Sequence, residues 1–247
     1  MMDIFLQPEA WIALLTLTFL EIVLGIDNII FISIVSNRLP EEQQPKARSI
    51  GLLLALFVRI LMLSGISYII GFTQPLFEVF EHPVSGRDLI LAVGGLFLVA
   101  KSITEIHDKV DKDELELSGD SKPISFKNVL MQIVLLDIIF SFDSILTAVG
   151  MSGDLIIMVS AVVISIFVMM AFATPISKFI NKYPTLQMLA LSFLILIGFM
   201  LILESVHIEV PKQYIYFAVF FSLLVEFLNI RARKKRVKQR QETTHNS

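Results

Sequence analysis

Two short stretches of this 247-residue chain place acids among apolar residues: EIVLGIDNI, beginning at Glu21, and DIIFSFDSI, beginning at Asp137. In each, an acid is followed six residues later by Asp and then by Asn or Ser, so that Glu21 corresponds to Asp137, Asp27 to Asp143 and Asn28 to Ser144. Carboxylate, amide and hydroxyl groups offer only oxygen donors, the set suited to hard divalent ions such as Mn, Mg or Ca. Gln132 and Thr147 would extend that set. The chain has no Cys, and none of its His residues falls in an apolar run, so nothing argues for zinc or copper. Gly25 and Ser141, two residues before each Asp, are points where a weakened helix could release backbone carbonyls as ligands, although glycine in a membrane helix is also a close-packing residue. Arg59 stands near the middle of another apolar run. It reads either as the fixed partner of one carboxylate or as a counter-charge that occupies the site when an ion has left.

The elements that must hold these residues follow from composition. Hydrophobic residues make up 55% of the chain and charged ones 17%, with a mean hydropathy of +0.76 and 20 Phe. That is more apolar surface than a soluble domain can bury, so the chain is expected to be an all-α membrane protein. The N-terminus lacks the basic region of a cleaved signal and reads as leading into a retained span. A bilayer core requires about 20 apolar residues per helix. Seven runs qualify, at approximately 10–36, 48–72, 88–104, 127–150, 153–175, 185–205 and 213–230, separated by loops rich in Pro and Gly.

Lys and Arg divide unevenly between the two compartments these spans define. Sixteen fall in the loops after spans one, three and five and in the tail 231–247, against Arg87 and Lys212 on the other side. The positive-inside rule therefore puts the N-terminus outside and the C-terminus in the cytoplasm.

The repeated acidic stretch belongs to a wider one. GLFLVAKS from Gly95 echoes GFMLILES from Gly198, and Phe57-Val58 echoes Phe167-Val168. The seven-span domain, 1–230, thus divides into repeat one at about 10–104, repeat two at about 127–205 and a seventh helix at about 213–230. Span one runs inward and span four outward, so the two three-helix repeats are inverted, an arrangement common among secondary transporters, whose site lies at the midplane. Six residues correspond to a rise of about 9 Å. Antiparallel travel is then expected to set Glu21 level with Asp143 and Asp27 level with Asp137, as two layers of paired acids. Carboxylates at the membrane centre cost about 2.5–3.5 kcal/mol each on insertion scales. Four repeated in register point to function.

The remaining polar residues carry less. Lys101 and Glu226 read as snorkelling, Glu204 as an interface marker, and His107 and His207 as solvated. The acidic linker from Glu105 to Asp120 lacks EF-hand spacing, and the basic tail is expected to lie on anionic headgroups rather than on nucleic acid.

EIVLGIDNIIFISIV together with LLDIIFSFDSILTAVG closely resembles the TerC family of integral membrane proteins, named for tellurium resistance, and in particular its short bacterial branch without CBS domains. The resemblance extends through RDLILAVGGLFL, MLALSFLILIGFMLILES and PKQYIYFAVFFSLLVE. It implies a fold like that of the LysE-type transporters, a multi-pass protein of the bacterial inner membrane, and a role in metal homeostasis, since some members export manganese. The family's acidic motifs map onto Glu21, Asp27, Asn28, Asp137, Asp143 and Ser144. The expected function is export of a divalent cation, Mn2+ by family, with protons as counter-ion, membrane lipids as surroundings and no permanently bound cofactor. Two other classes compete. An intramembrane aspartyl protease would use Asp27 and Asp143 as a dyad, but Gly25-Ile26-Asp27 lacks the second glycine of the GxGD signature. A membrane scaffold or assembly factor in metal or tellurite stress leaves the acids unexplained. No phosphate-binding loop is present, so transport would draw on an ion gradient, and no enzymatic activity is expected.

Overall fold

The computed structural model describes residues 7–79, 82–110, 125–152, 154–208 and 210–245. Its elements are α1 (Pro8–Ser36), α2 (Gln44–Ser64), α3 (Ile66–Gly71), β1 (Pro75–Val79), β2 (His82–Ser85), α4 (Gly86–Val110), α5 (Phe126–Ser152), α6 (Leu155–Lys182), α7 (Pro184–Ser205) and α8 (Lys212–His245). Seven of the helices are long and apolar enough to cross a membrane. All seven coincide with runs read from the sequence. Phe57, Phe167, Phe172, Phe199 and Phe217 project from their flanks into what hydrocarbon would cover, so apolar exposure here is a lipid-facing surface.

Local chemistry sets the helix starts. Pro8, Pro45 and Pro184 stand in the first turns of α1, α2 and α7, where a missing N–H costs nothing. Asp154 caps α6, its Oδ1 accepting from the Ile156 and Ile157 amides at 2.8 and 3.3 Å. Four stretches differ from the sequence reading. The second span, expected at 48–72, ends at Ser64; Gly65 leaves helical geometry and the short α3 follows. The segment then read as a loop pairs as a small antiparallel hairpin, Glu78 opposite Pro83 and Phe77 opposite Val84, with an irregularity near Pro75. Pro83 is tolerated because a two-stranded hairpin has only edge strands. α6 continues through Pro175 to Lys182, and the tail, expected as a separate segment from 231, prolongs the seventh span as one helix to His245. Most of the acidic linker, 111–120, lies outside the described residues.

Packing divides the bundle into a core and an arm. In the core, α1 lies against α6, and α2 against α5 and α6. α2 and α5 run parallel: a Cβ on Gly51 would stand 2.9 Å from Ile133, near the start of both helices. α1 and α6 are parallel as well, with Asn37 and Asn181 at their C-terminal ends joined by paired amide hydrogen bonds of 2.6 and 3.0 Å. The arm is the pair α4 and α7, which pack chiefly on each other and only lightly on the core, while α8 leans on α7.

The arm's crossing point requires glycine. A Cβ on Gly95 would stand 2.5 Å from the Gly198 carbonyl oxygen, and one on Gly198 2.8 Å from the Gly95 oxygen, so two backbones meet where no side chain fits. Replacing Gly95 by Ala is expected to cost about 1–3 kcal/mol, the range for overpacking, because the obstacle is backbone. Gly71→Ala, where a Cβ meets nothing within 4 Å, serves as the control. Thermal unfolding in detergent should fall for the first and hold for the second.

Candidate functional site

The centre of the core is a charged cluster in an otherwise apolar interior. Arg59, three-quarters of the way along α2, is 3% exposed, Glu21 on α1 is 5% exposed and Asp137 on α5 is 5% exposed. The guanidinium spans both acids. Its Nη1 donates to Glu21 Oε2 at 2.6 Å, its Nη2 to Asp137 Oδ1 at 2.6 Å, and its Nε lies 3.1 Å from both Asp137 oxygens. Ser141, one turn along α5, adds its hydroxyl 3.2 Å from Asp137 Oδ2. A planar fork with donors on two edges is what allows one side chain to hold two carboxylates. With both acids ionised the cluster carries one net negative charge.

This pairing corrects the two-layer arrangement read from the sequence. Glu21 is held level with Asp137, not with Asp143. The reason is counter-charge: Arg59 is the basic residue of these spans that reaches this depth, and it neutralises both acids only if they meet at one level. Matching Glu21 with Asp143 would leave one pair of acids with no cation. Since α1 and α5 run in opposite directions, Asp27 and Asp143 are then displaced to opposite sides of the cluster, each by a rise of about 9 Å, and lie about 18 Å apart in depth. Their side chains lie outside the described residues.

Around each helix the candidates separate further. At 100° per residue, Asn28 returns to within about 20° of Glu21, whereas Asp27 is turned about 120° from it. Asn28 is 6% exposed and its Oδ1 has no hydrogen-bond donor among the described residues. Its counterpart Ser144 is satisfied, donating to the Ser141 carbonyl at 3.3 Å. Gln132 also has a buried Oε1 without a donor, but it is turned about 140° from Asp137 and is not on the Arg59 face. The Thr147 side chain lies outside the described residues. Gly25 does not interrupt α1, which is continuous from Pro8 to Ser36; Met169 of α6 packs onto it, so it is a packing contact and releases no carbonyl. Among the described residues no three His, Cys, Asp or Glu side chains are gathered as for a metal ion.

Polar residues that sequence reading placed in loops or at interfaces prove to be structural partners. Arg48, counted among loop charges, is 3% exposed and donates to Ser36 and Ser177, each at 3.1 Å. Arg38 reaches α4, with Nε 2.9 Å from Glu105 Oε2 and Nη2 2.5 Å from Asp108 Oδ2. Lys101 pairs with Glu105 at 2.9 Å, and Glu226 accepts from Thr185 at 2.5 Å. Arg87 pairs with Glu204. His207, the one described non-glycine residue with positive φ, stands 3.2 Å from Asp88, which also accepts from the Ser85 amide and hydroxyl. Two of these pairs have a local signal, the i,i+4 spacing of Lys101 with Glu105 and the S-x-x-D capping box of Ser85 with Asp88, whose amide donates in turn to the Ser85 hydroxyl at 3.2 Å; the others join distant elements.

Seven apolar helices around a buried guanidinium and two carboxylates define a polytopic membrane protein with a charged centre. Residues 6–242 match the TerC family of integral membrane proteins, and the chain belongs to that family. It is 53% identical over 229 residues to the UPF0053 inner membrane protein YgdQ of Escherichia coli, covering 93% of this chain and 96% of that one. A UPF0053 protein of Haemophilus influenzae is 52% identical over 228 residues, covering 92% of this chain and 96% of the relative. The UPF0053 inner membrane protein YoaE of Escherichia coli is 44% identical over 233 residues, covering 94% of this chain but 45% of YoaE. No solved structure matches.

Breaking the cluster leaves buried charge unpaired. Arg59→Met is expected to cost about 3–5 kcal/mol near neutral pH, the range for removing one partner of a buried ion pair. Thermal unfolding of wild type and variant in detergent checks the size of the loss.

Proposed function

We propose that this chain exports a divalent cation, Mn2+ foremost, across the inner membrane by alternating access, with Glu21, Asp27, Asn28, Asp137, Asp143 and Ser144 as the ion's path and Arg59 as its counter-charge. The observation that carries this reading is the buried Glu21–Arg59–Asp137 cluster. Desolvated charge at the middle of membrane helices is costly, and a cluster with surplus negative charge and only oxygen donors favours a hard cation. The family and the inner-membrane location in YgdQ's name support the placement. In the orientation given by the basic residues, Asp27 and Asn28 lie on the cytoplasmic side of the cluster and Asp143 and Ser144 on the outer side.

The reading extends to the architecture. Residues equivalent in the two halves of the sequence meet across the bundle, Glu21 and Asp137 on one guanidinium and Gly95 and Gly198 at the arm crossing, as an in-plane pseudo-twofold would require. This supports two inverted three-helix repeats plus a seventh helix, in the manner of LysE-type transporters, forming one domain over 1–230. An ion arriving from the cytosol first meets Asp27. To pass, it must replace the guanidinium on Glu21 or Asp137, and after it leaves toward Asp143 the acids either regain Arg59 or take protons from outside. The depth separation of Asp27 and Asp143 speaks against a dyad sharing one proton, the requirement of an aspartyl protease.

Cells producing the protein should show a selective fall in one divalent metal when content is measured across several. Asp27→Asn and Asp143→Asn should each abolish that fall, although they stand on opposite sides of Arg59. Wild-type metal content with both variants would sink the exporter reading.

A further inference from the structure

Alternating access requires something that holds one side shut and can let go. The light packing between the α4–α7 arm and the four-helix core makes the polar links between them the natural place to look. At the end of the bundle where α1, α4 and α6 finish, Arg38 leaves the core just after α1 and grips two acids on the last turns of α4, Glu105 and Asp108. Glu105 is 4% exposed and is held from a second side by Lys101. Beside it, Asn181 of the core accepts from Gln187 of the arm at 2.9 Å, and Lys109 also reaches Gln187. Arg48 fixes the base from which Arg38 extends, through Ser36 and Ser177.

The repeat makes this link one-sided. In the register that sets Glu21 against Asp137, Arg38 corresponds to Asp154, an acid that caps its own helix through the Ile156 and Ile157 amides. In the register that sets Gly95 against Gly198, Glu105 corresponds to Ile208. The second half therefore has neither the cation nor the anion from which to build the same bridge. At the same end of the bundle, Val129 near the start of α5 is fully buried, as are Val35 near the end of α1 and Ala47 near the start of α2.

We propose that Arg38, bridging Glu105 and Asp108, is the latch of the cytoplasmic gate: it clamps the arm to the core on that side, and its release admits an ion to Asp27. This rests on the transport reading for its purpose, though not for its geometry. A two-carboxylate bridge suits a latch because its Glu105 arm is buried and holds firmly, whereas Asp108, 45% exposed, already meets water and lets the guanidinium go readily. Arg38 acts through the position of α4 and touches no reacting group.

The chain's lack of cysteine makes the test clean. Val129→Cys places a single thiol of similar size in the buried interior at the latch end of the bundle, and its reaction with a membrane-impermeant thiol reagent is followed in inside-out vesicles holding the full chain. Adding Arg38→Gln should speed labelling about tenfold or more, the equivalent of about 1.4 kcal/mol in the opening equilibrium. Glu105→Gln with Asp108→Asn should do the same from the other side of the bridge, and Arg38→Lys should fall between. Unchanged labelling in Arg38→Gln with an unchanged melting temperature would overturn the latch. So would equal acceleration of a thiol at Ala148, which is buried toward the opposite end of α5, since that would report general loosening. Export of metal from the same vesicles is scored separately. Labelling that follows the latch without any metal movement would fail the exporter reading alone, whereas metal movement with labelling indifferent to Arg38 would fail the latch alone.

Discussion

The bundle is organised around one guanidinium. In hydrocarbon an ionised carboxylate cannot remain without a partner, and Arg59 meets that demand for Glu21 and Asp137 at once, with its Nη atoms 2.6 Å from each. This fixes the relative heights of α1, α2 and α5 and places Asp27 and Asp143 on opposite sides. With both acids ionised, the centre carries one net negative charge. On the exporter reading proposed above, that charge balance is what would let an external cation exchange with the internal one.

The rest of the molecule supplies what such an exchange needs. Helices α1, α2, α5 and α6 form a closely packed core, with Gly25 seating Met169 and Gly51 seating Ile133. The arm crosses itself backbone to backbone at Gly95 and Gly198, a joint stiff within the pair and weakly tied to the core. Polar links at the helix ends join arm and core, so relative motion can be governed by a few ion pairs without disturbing the apolar packing. Helix α8 stands apart on the lipid side of α7.

Much of this could be read before the structure was in hand, and what could not has a physical reason. The spans were legible because a bilayer imposes a length and a polarity that no other environment does, and the family because its two acidic stretches are so dense. The candidate acids were identifiable from their cost. Their mutual register was not, since it depends on where Arg59 reaches, a tertiary fact absent from the spacing on α1 and α5. For the same reason Arg38 and Arg48 read as ordinary loop charges: each is defined by a partner on a distant helix, and 67 residues separate Arg38 from Glu105. The break at Gly65 and the hairpin after it were hidden because Ile66 to Phe72 continue an apolar run, and hydropathy cannot tell one long helix from a helix, a short turn of helix and a paired strand.

The claim that Arg59 and the transported ion compete for the same carboxylates is tested most directly by the Mn2+ affinity of the purified protein, measured for wild type, Arg59→Lys and Arg59→Gln. Lysine keeps the charge but not the fork, so it can hold one acid and frees the other. The account predicts that affinity rises from wild type through Arg59→Lys to Arg59→Gln. A folded Arg59→Gln protein with the affinity of the wild type would contradict it.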